Sequence, residues 1–279
     1  MTTDPEPHCR THNQTGHNRL GRRDFLKRAT GTAITAITAA TAAMAGTGLL
    51  LPSRSRAAAI TSNPENTQMS QNAFVYTELQ ISAPFDQVPW KNINDTIKTQ
   101  PGFLNKTWLS GLGNNSAGGI YAFDTIENAK KFVTGYFPAE ARNFGVAQTT
   151  RVFDALATSE ASIDMNSVHY GARIDVKPAA FVYTEVQLHV LPFDNGPWRT
   201  FNPVLKQQPG LLSKTWLSGL HTGTVGGFYA FDSIENAKRF ALDYFPTETR
   251  ALDAAFYTRI FDATMTEAAS RDMASPFYR

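Results

Sequence analysis

The side chains best suited to chemistry in this sequence come in pairs. Lys106 and Lys214, Trp108 and Trp216, and Tyr121 and Tyr229 recur at one spacing, and Tyr76 with Tyr183 and Glu78 with Glu185 recur close to it. Indole and phenol rings can stack on a planar organic molecule, and an amine or carboxylate among them can orient its polar edge. His189 shares strand parity with Tyr183 and Glu185. Imidazole titrates near neutral pH, so His189 could take the proton of an acidic phenol or enol. Each group also has an ordinary structural reading. The indoles can be core aromatics, and His189 a hydrogen-bonded histidine near a strand end. Glu78 and Glu185 can be internal ion-pair partners of Lys106 or Arg151 and of Lys214 or Arg259, because a lone buried charge is costly.

Other chemistries are poorly supplied. The one cysteine, Cys9, lies near the N-terminus, so the rest of the chain has no thiolate nucleophile and no disulfide. After residue 59 the histidines are His169, His189 and His221, and none recurs at the matching position of the other half. No metal site and no cofactor are expected. The glycines of "GGIY" lack phosphate-loop spacing. The formal charge of +2 conceals an imbalance: eight of the 26 basic and three of the 24 acidic residues precede residue 60, leaving 18 against 21. A weakly acidic body has no electrostatic footprint for nucleic acid.

Residues 1–59 read as an address. Arg22 and Arg23 are followed by Phe25, Leu26 and Lys27, an Ala- and Thr-rich stretch, and Ala57, Ala58 and Ala59. This resembles a bacterial twin-arginine export signal with cleavage after Ala59. Residues 29–51 are long enough to span a bilayer, but their threonines and glycines make insertion weak, so no stable membrane anchor is expected. The expectation is passage through the twin-arginine translocase to the periplasm or the exterior, with 60–72 a flexible segment.

The body is a duplication. "KTWLSGL" at Lys106 returns at Lys214, "FVYTELQ" at Phe74 returns as "FVYTEVQ" at Phe181, and "GGIYAFDTIENAKKF" at Gly118 returns as "GGFYAFDSIENAKRF" at Gly226. More than half of the aligned positions are identical, and one residue is inserted before Pro192. Units of this size are small domains rather than solenoid modules. The expected bounds are 73–156 for the first, 157–179 for a linker that includes a short helix, and 180–279 for the second with its tail.

Within a unit the periodicity changes in a readable order. Residues 74–81 alternate as a strand. Residues 90–100 read as a helix stopped by "QPG". Residues 104–110 and 119–123 read as strands joined by a turn-rich loop, 125–137 as a helix interrupted at Pro138, and 149–153 as a fourth strand. The order is βαββαβ, so the fold class is α+β with two ferredoxin-like units. Each sheet has helices on one face only, so the other must find cover. Sorting by parity puts Val75, Leu79, Leu109, Ile120, Ala122 and Val152 toward the helices. It puts Phe74, Tyr76, Glu78, Lys106, Trp108, Tyr121, Phe123, Arg151 and Phe153 on the opposite face. That aromatic face is expected to meet its equivalent in the second unit, Tyr183, Glu185, Lys214, Trp216, Tyr229, Arg259 and Phe261, as an intramolecular dimeric α+β barrel in a monomeric chain.

The strings "PGFLNKTW", "AGGIYAFD", "NFGV" and "RVFDA" in the first unit, and "VQLHV", "PGLLSKTW", "GGFYAFD" and "RIFDA" in the second, resemble the YdhR-type monooxygenase family. Its members are single units that dimerise as α+β barrels, so this chain looks like such a dimer fused into one. The resemblance implies oxidation of small aromatic or polyketide-like molecules without metal or flavin. It places Lys106 and Lys214, Trp108 and Trp216, and Tyr121 and Tyr229 at the family's substrate-side positions. The family's Q-L-H string is matched by Gln187, Leu188 and His189 and is lost in the first unit, where Ser82 follows Gln80 and Ile81. The expected partner is a small-molecule substrate. The competing reading is a non-catalytic module that binds an apolar small molecule, or a structural pseudo-dimer.

Overall fold

The computed structural model describes residues 70–187, Phe193 and residues 198–279. The export signal expected at 1–59 and the candidate base His189 lie outside the described residues.

The first unit runs β1 (Ala73–Leu79), α1 (Trp90–Lys98), β2 (Phe103–Ser110), β3 (Ala117–Phe123), a long helix and β4 (Gln148–Asp154). The second repeats it with β5 (Ala180–Gln187), α5 (Trp198–Leu205), β6 (Leu211–Ser218), β7 (Thr224–Phe231), a long helix and β8 (Phe256–Asp262). The strand orders are β2-β3-β1-β4 and β6-β7-β5-β8, with every neighbouring pair antiparallel, so both units are ferredoxin-like. Gly118 lets β1 and β3 approach closely: a Cβ there would sit 2.0 Å from the Thr77 carbonyl oxygen.

The helix expected to end at Pro138 continues. It consists of α2 (Ile126–Lys131), a π-type turn at Phe132–Tyr136 and α3 (Phe137–Phe144), and it stops at Gly145, whose φ is +67°. The wide turn passes the Phe137 amide to the Phe132 carbonyl. The wider spacing admits Pro138, which has no amide hydrogen to offer the ladder. The second unit repeats the device with α6 (Ile234–Arg239), a π-type turn and α7 (Phe245–Ala251).

The two sheets meet face to face. Their edges touch where Gly111 bridges to Phe261 and Phe153 to Gly219, supported by Leu112 N–H to Ile260 O at 2.9 Å and Leu220 N–H to Val152 O at 2.8 Å. Phe74, Tyr76, Leu109, Ile120 and Phe153 pack with Phe181, Tyr183, Leu217, Phe228 and Phe261 in the space between. At its centre Tyr76 and Tyr183 stack with centroids 4.0 Å apart and planes 3° from parallel.

The face assignment holds for β1 and β4 and is reversed for β2 and β3. Register pairs Tyr76 with Ile120 and Phe74 with Ala122, so Ile120, Ala122 and Leu109 face the other sheet. Lys106, Trp108, Tyr121 and Phe123 lie on the helix side, as do Lys214, Trp216 and Tyr229. Both faces of the sheet are buried and both are aromatic, so ring content does not say which way a strand turns. Irregular pairing between Phe103 and Asn105 shifts the β2 register as well.

The segment after each sheet crosses to the opposite unit. Helix α4 (Ser159–Asp164) lies along β6, where Ser162 Oγ accepts from Trp216 N–H at 2.9 Å and Met165 O accepts from Lys214 N–H at 3.1 Å. Helix α8 (Glu267–Asp272) does the same on β2 through Ser270 Oγ and Met273 O. Each sheet's outer strand thereby finds partners for amides that would otherwise be open to strand pairing.

Candidate functional site

On the helix side of the first sheet an apolar cleft is walled by Leu79, Ile81, Ile93, Ile97, Phe137 and Phe144, and Lys106, Trp108, Tyr121, Tyr136 and Glu140 also line it. Its cavity is about 30 Å³, room for one or two waters. Lys106 rises from β2 into this space and is 1 % exposed. Its Nζ lies 2.8 Å from the Trp108 ring centroid and 4.8 Å from that of Tyr121. No carboxylate pairs with it within 4.0 Å among the described residues. Burial therefore drives its ammonium well below the ordinary lysine range, against the weaker opposing charge of Glu140. Burial pushes the Glu140 carboxyl up, with Lys106 opposing. The combination favours an uncharged amine beside a protonatable acid.

The surrounding groups are held firmly. Trp108 Nε1 donates to Asn94 Oδ1 at 2.8 Å, and Asn94 Nδ2 donates to Ala269 O at 3.1 Å and Asp272 Oδ2 at 2.8 Å, tying the indole to α1 and to the crossing helix α8. Thr77 donates to the Tyr121 hydroxyl at 3.4 Å, and burial lifts that phenol above its usual range. The Tyr136 hydroxyl is buried and has no hydrogen-bond partner. In the second unit Lys214 Nζ lies 2.9 Å from the Trp216 centroid and 4.9 Å from that of Tyr229, Trp216 Nε1 donates to Asn202 at 2.8 Å, and Tyr244 donates to Glu248 at 3.2 Å. Lys214 and Glu248 are displaced in the same directions, again by burial first.

Between the sheets lies a second arrangement. Tyr76 and Tyr183 donate to Glu78 and Glu185 at 2.8 and 2.9 Å. Arg151 reaches Glu185 at 3.1 Å, and Arg259 grips Glu78 through Nε and Nη2, so each ion pair crosses from one unit to the other. The sequence reading had paired these carboxylates within their own unit. The lysines it offered sit on the opposite face of the sheet. A cavity of about 280 Å³ opens here, lined by Tyr76, Thr149, Arg151, Tyr183, Glu185 and Tyr257. Its charges already satisfy one another, whereas the helix-side cleft holds an amine with no carboxylate partner and a hydroxyl with no hydrogen-bond partner.

The structure thus divides the candidate binding residues into two groups. Lys106, Trp108 and Tyr121, like Lys214, Trp216 and Tyr229, gather on the helix side, while Tyr76, Tyr183 and Glu185 gather between the sheets. The Trp108 ring is no open platform, since Lys106 covers it and Phe85 meets it edge-on at 5.5 Å. Sequence reasoning missed Tyr136 and Glu140, which it took for part of a helix end. Their retention as Tyr244 and Glu248 amid changed neighbours was the available signal. It also passed over His169, whose Nδ1 meets Thr215 Oγ1 at 2.9 Å and whose Nε2 has no partner. Burial drives that imidazole down to about 3. Among the described residues no group of three or more His, Cys, Asp or Glu side chains could hold a metal ion, and no helix is long and apolar enough to cross a membrane.

No curated protein matches the chain. An anthrone oxidase-like protein of solved structure is similar at 18% identity and TM-score 0.44, over 69% of this chain and 91% of that one. A putative monooxygenase from Lactobacillus acidophilus NCFM is similar at 9% identity and TM-score 0.39, over 68% and 93%. A ferredoxin fold protein related to antibiotic biosynthesis monooxygenases, from Listeria monocytogenes 4b F2365, is similar at 9% identity and TM-score 0.36, over 71% and 98%. Residues 77–164 match the family model described as putative mono-oxygenase ydhR. The chain therefore carries a domain of the ydhR mono-oxygenase family, and its second ferredoxin-like unit is the tandem copy of that domain.

Proposed function

We propose that this protein is an exported monooxygenase that needs no metal or flavin and oxidises a small aromatic or polyketide-like substrate at its helix-side clefts, where the first unit's cavity of about 30 Å³ must widen to take an aromatic ring. The observation that carries this reading is the repeated set of Lys, Trp, Tyr and Glu around an apolar space, with the Lys106 amine against ring faces and the Tyr136 hydroxyl left without a hydrogen-bond partner. Apolar walls with a few convergent polar groups are the usual form of a small-molecule site. An amine or phenol there can hold the oxygen of a phenol or enol while the ring lies against the apolar wall.

The chemistry requires removal of a proton from the substrate, so that the resulting carbanion-like species can reduce dioxygen. One oxygen atom is then retained as a carbonyl, and the other leaves as water with the two hydrogens lost from the carbon. We assign proton removal to His189 in the second unit, since the first has Ser82 in its place; His189 falls two residues beyond the end of β5 at Gln187, so the parity it shares with Tyr183 and Glu185 does not fix the face it serves. Arg22 and Arg23 support export through the twin-arginine translocase, with the mature protein working in the periplasm or outside the cell as a monomeric pseudo-dimer.

The test is oxygen uptake by the purified, chelator-treated body with anthrone or a hydroquinone. Uptake that falls at least tenfold in His189→Ala, within the usual range for a lost general base, supports the assignment. No uptake by the wild type would leave a binding or structural pseudo-dimer as the function, and undiminished uptake in the variant would remove His189 from the mechanism.

A further inference from the structure

The first unit has no imidazole where the second has His189, yet it has an amine of unusual character. Lys106 Nζ lies against ring faces rather than a carboxylate, in a cleft that Tyr136 and Glu140 also line. A buried hydroxyl without a hydrogen-bond partner, such as that of Tyr136, is destabilising, so a fold that keeps one invites a reason. Divergence between the halves sharpens the point. Residues 133–142, "VTGYFPAEAR", correspond to "ALDYFPTETR" at 241–250. Five of these ten positions differ, and the tyrosine and glutamate are both kept beside a kept lysine. An amine, an acid and an unpartnered hydroxyl around one small apolar space lack a single thing, an uncharged ligand with an electrophilic carbon and an acceptor oxygen.

We propose that Lys106 is a nucleophilic amine that captures a small aldehyde or unhindered ketone as an imine, with the Tyr136 hydroxyl binding the carbonyl oxygen and Glu140 handling the proton. The amine lone pair forms the C–N bond as the C=O π pair moves to oxygen, and a proton passes from nitrogen to that oxygen to give a carbinolamine. Glu140 then protonates the carbinolamine hydroxyl, the C–O bond breaks and water departs. The remaining N–H proton returns to the Glu140 carboxylate, leaving a neutral C=N bond. No oxidant or reductant is consumed. The directions in which burial shifts Lys106, toward the uncharged amine, and Glu140, toward the neutral acid, are the ones these roles need. An uncharged imine suits apolar walls, and a cavity of about 30 Å³ restricts the ligand to a few heavy atoms.

The experiment treats the folded protein at pH 7 with acetaldehyde and cyanoborohydride, which reduces an imine to N-ethyl-lysine, and follows each lysine by peptide mass mapping. Lys106, which burial shifts toward the reactive uncharged amine, is expected to be ethylated about tenfold or more faster than the exposed Lys130. Tyr136→Phe removes only an unpartnered hydroxyl, so the fold is kept and the rate at Lys106 falls severalfold while that at Lys130 is unchanged. Ethylation of Lys106 no faster than that of Lys130 would overturn the proposal, and an unchanged rate in Tyr136→Phe would overturn the role of the hydroxyl. The readout involves no oxygen consumption, so this proposal and the oxygenase reading fail separately.

Discussion

The Arg259→Met substitution tests the physics of the inter-sheet ion pairs. Glu78 is 0 % exposed and accepts from Arg259, Tyr76 and Tyr257. Burial alone would raise its carboxyl, but hydrogen bonds led by that of Arg259 outweigh burial and hold it below the usual range. Removing the guanidinium leaves a buried carboxylate with two phenols and no cation. Breaking a buried pair this way costs about 3–5 kcal/mol. At about 2–4 °C per kcal/mol for a body of this size, the melting temperature should fall by roughly 10 °C.

The equivalent Arg151→Met is the control. The Arg151 side chain is 37 % exposed and that of Glu185 9 %, so water can take over part of the lost contact and the cost should be about 1–2 kcal/mol. The sign of the pH dependence is also set. In the wild type the folded Glu78 lies below its unfolded value, so the pair contributes stability above the unfolded value, and that contribution is lost as pH falls through the folded one. In Arg259→Met only hydroxyl donors such as Tyr76 still oppose burial, so the folded value rises and the penalty shrinks as pH falls. The gap between wild type and variant should therefore be widest near neutrality and narrow below about pH 4. Urea unfolding of both variants between pH 3 and 8 measures this. Equal losses in the two, or a loss in Arg259→Met that does not change with pH, would refute the reasoning.

Asn94→Ala strands the Trp108 indole N–H and the Ala269 carbonyl, and should cost about 2–4 kcal/mol in equilibrium unfolding, since more than one buried group loses its partner. His169→Phe should flatten the acid limb of the stability curve. A folded value of about 3 means the native imidazole resists protonation while the unfolded one accepts it, so stability is lost as pH falls from about 6.5 toward 3, by at most about 4–5 kcal/mol. Phe277 fills the equivalent position in the second unit, so the ring should fit. Gly118→Ala puts a Cβ 2.0 Å from the Thr77 carbonyl oxygen and should prevent cooperative folding as judged by calorimetry, whereas Gly119→Ala meets the flexible Lys106 Cε at 2.6 Å, with the Tyr121 ring and the Thr107 carbonyl oxygen no closer than 3.0 Å, and should be milder. Arg22→Lys combined with Arg23→Lys should retain the full-length protein in the cytoplasm of an expressing bacterium, read by cell fractionation.

The duplication and the βαββαβ order were legible because strand alternation and helix periodicity are local signals, and the two copies reinforce each other. The sidedness of β2 and β3 was not. Lys106, Trp108, Tyr121 and Phe123 form an aromatic row that parity groups correctly, but the row faces the helices, and only the register with β1 shows it. The crossing arms were beyond reach for a different reason. Ser270 meets Trp108 across 162 residues and Ser162 meets Trp216 across 54, and short polar helices leave no trace of such distant partners in their own sequence. Pro138 misled because proline usually ends a helix, and a π-type turn before it is a tertiary accommodation that composition does not signal. At the site, the lysine, indole and first tyrosine were found through the repeated "KTW" and "GGxYAF" strings, whereas Tyr136 and Glu140 looked like helix-end residues until the fold brought them over Lys106.

The most direct test is a structure of the protein with anthrone or a hydroquinone bound under anaerobic conditions. The account predicts ligand density on the helix side of a sheet, against Trp108, Tyr121 and Tyr136 or their partners Trp216, Tyr229 and Tyr244. Density confined to the space between the sheets, among Tyr76, Tyr183 and Arg151, would contradict it.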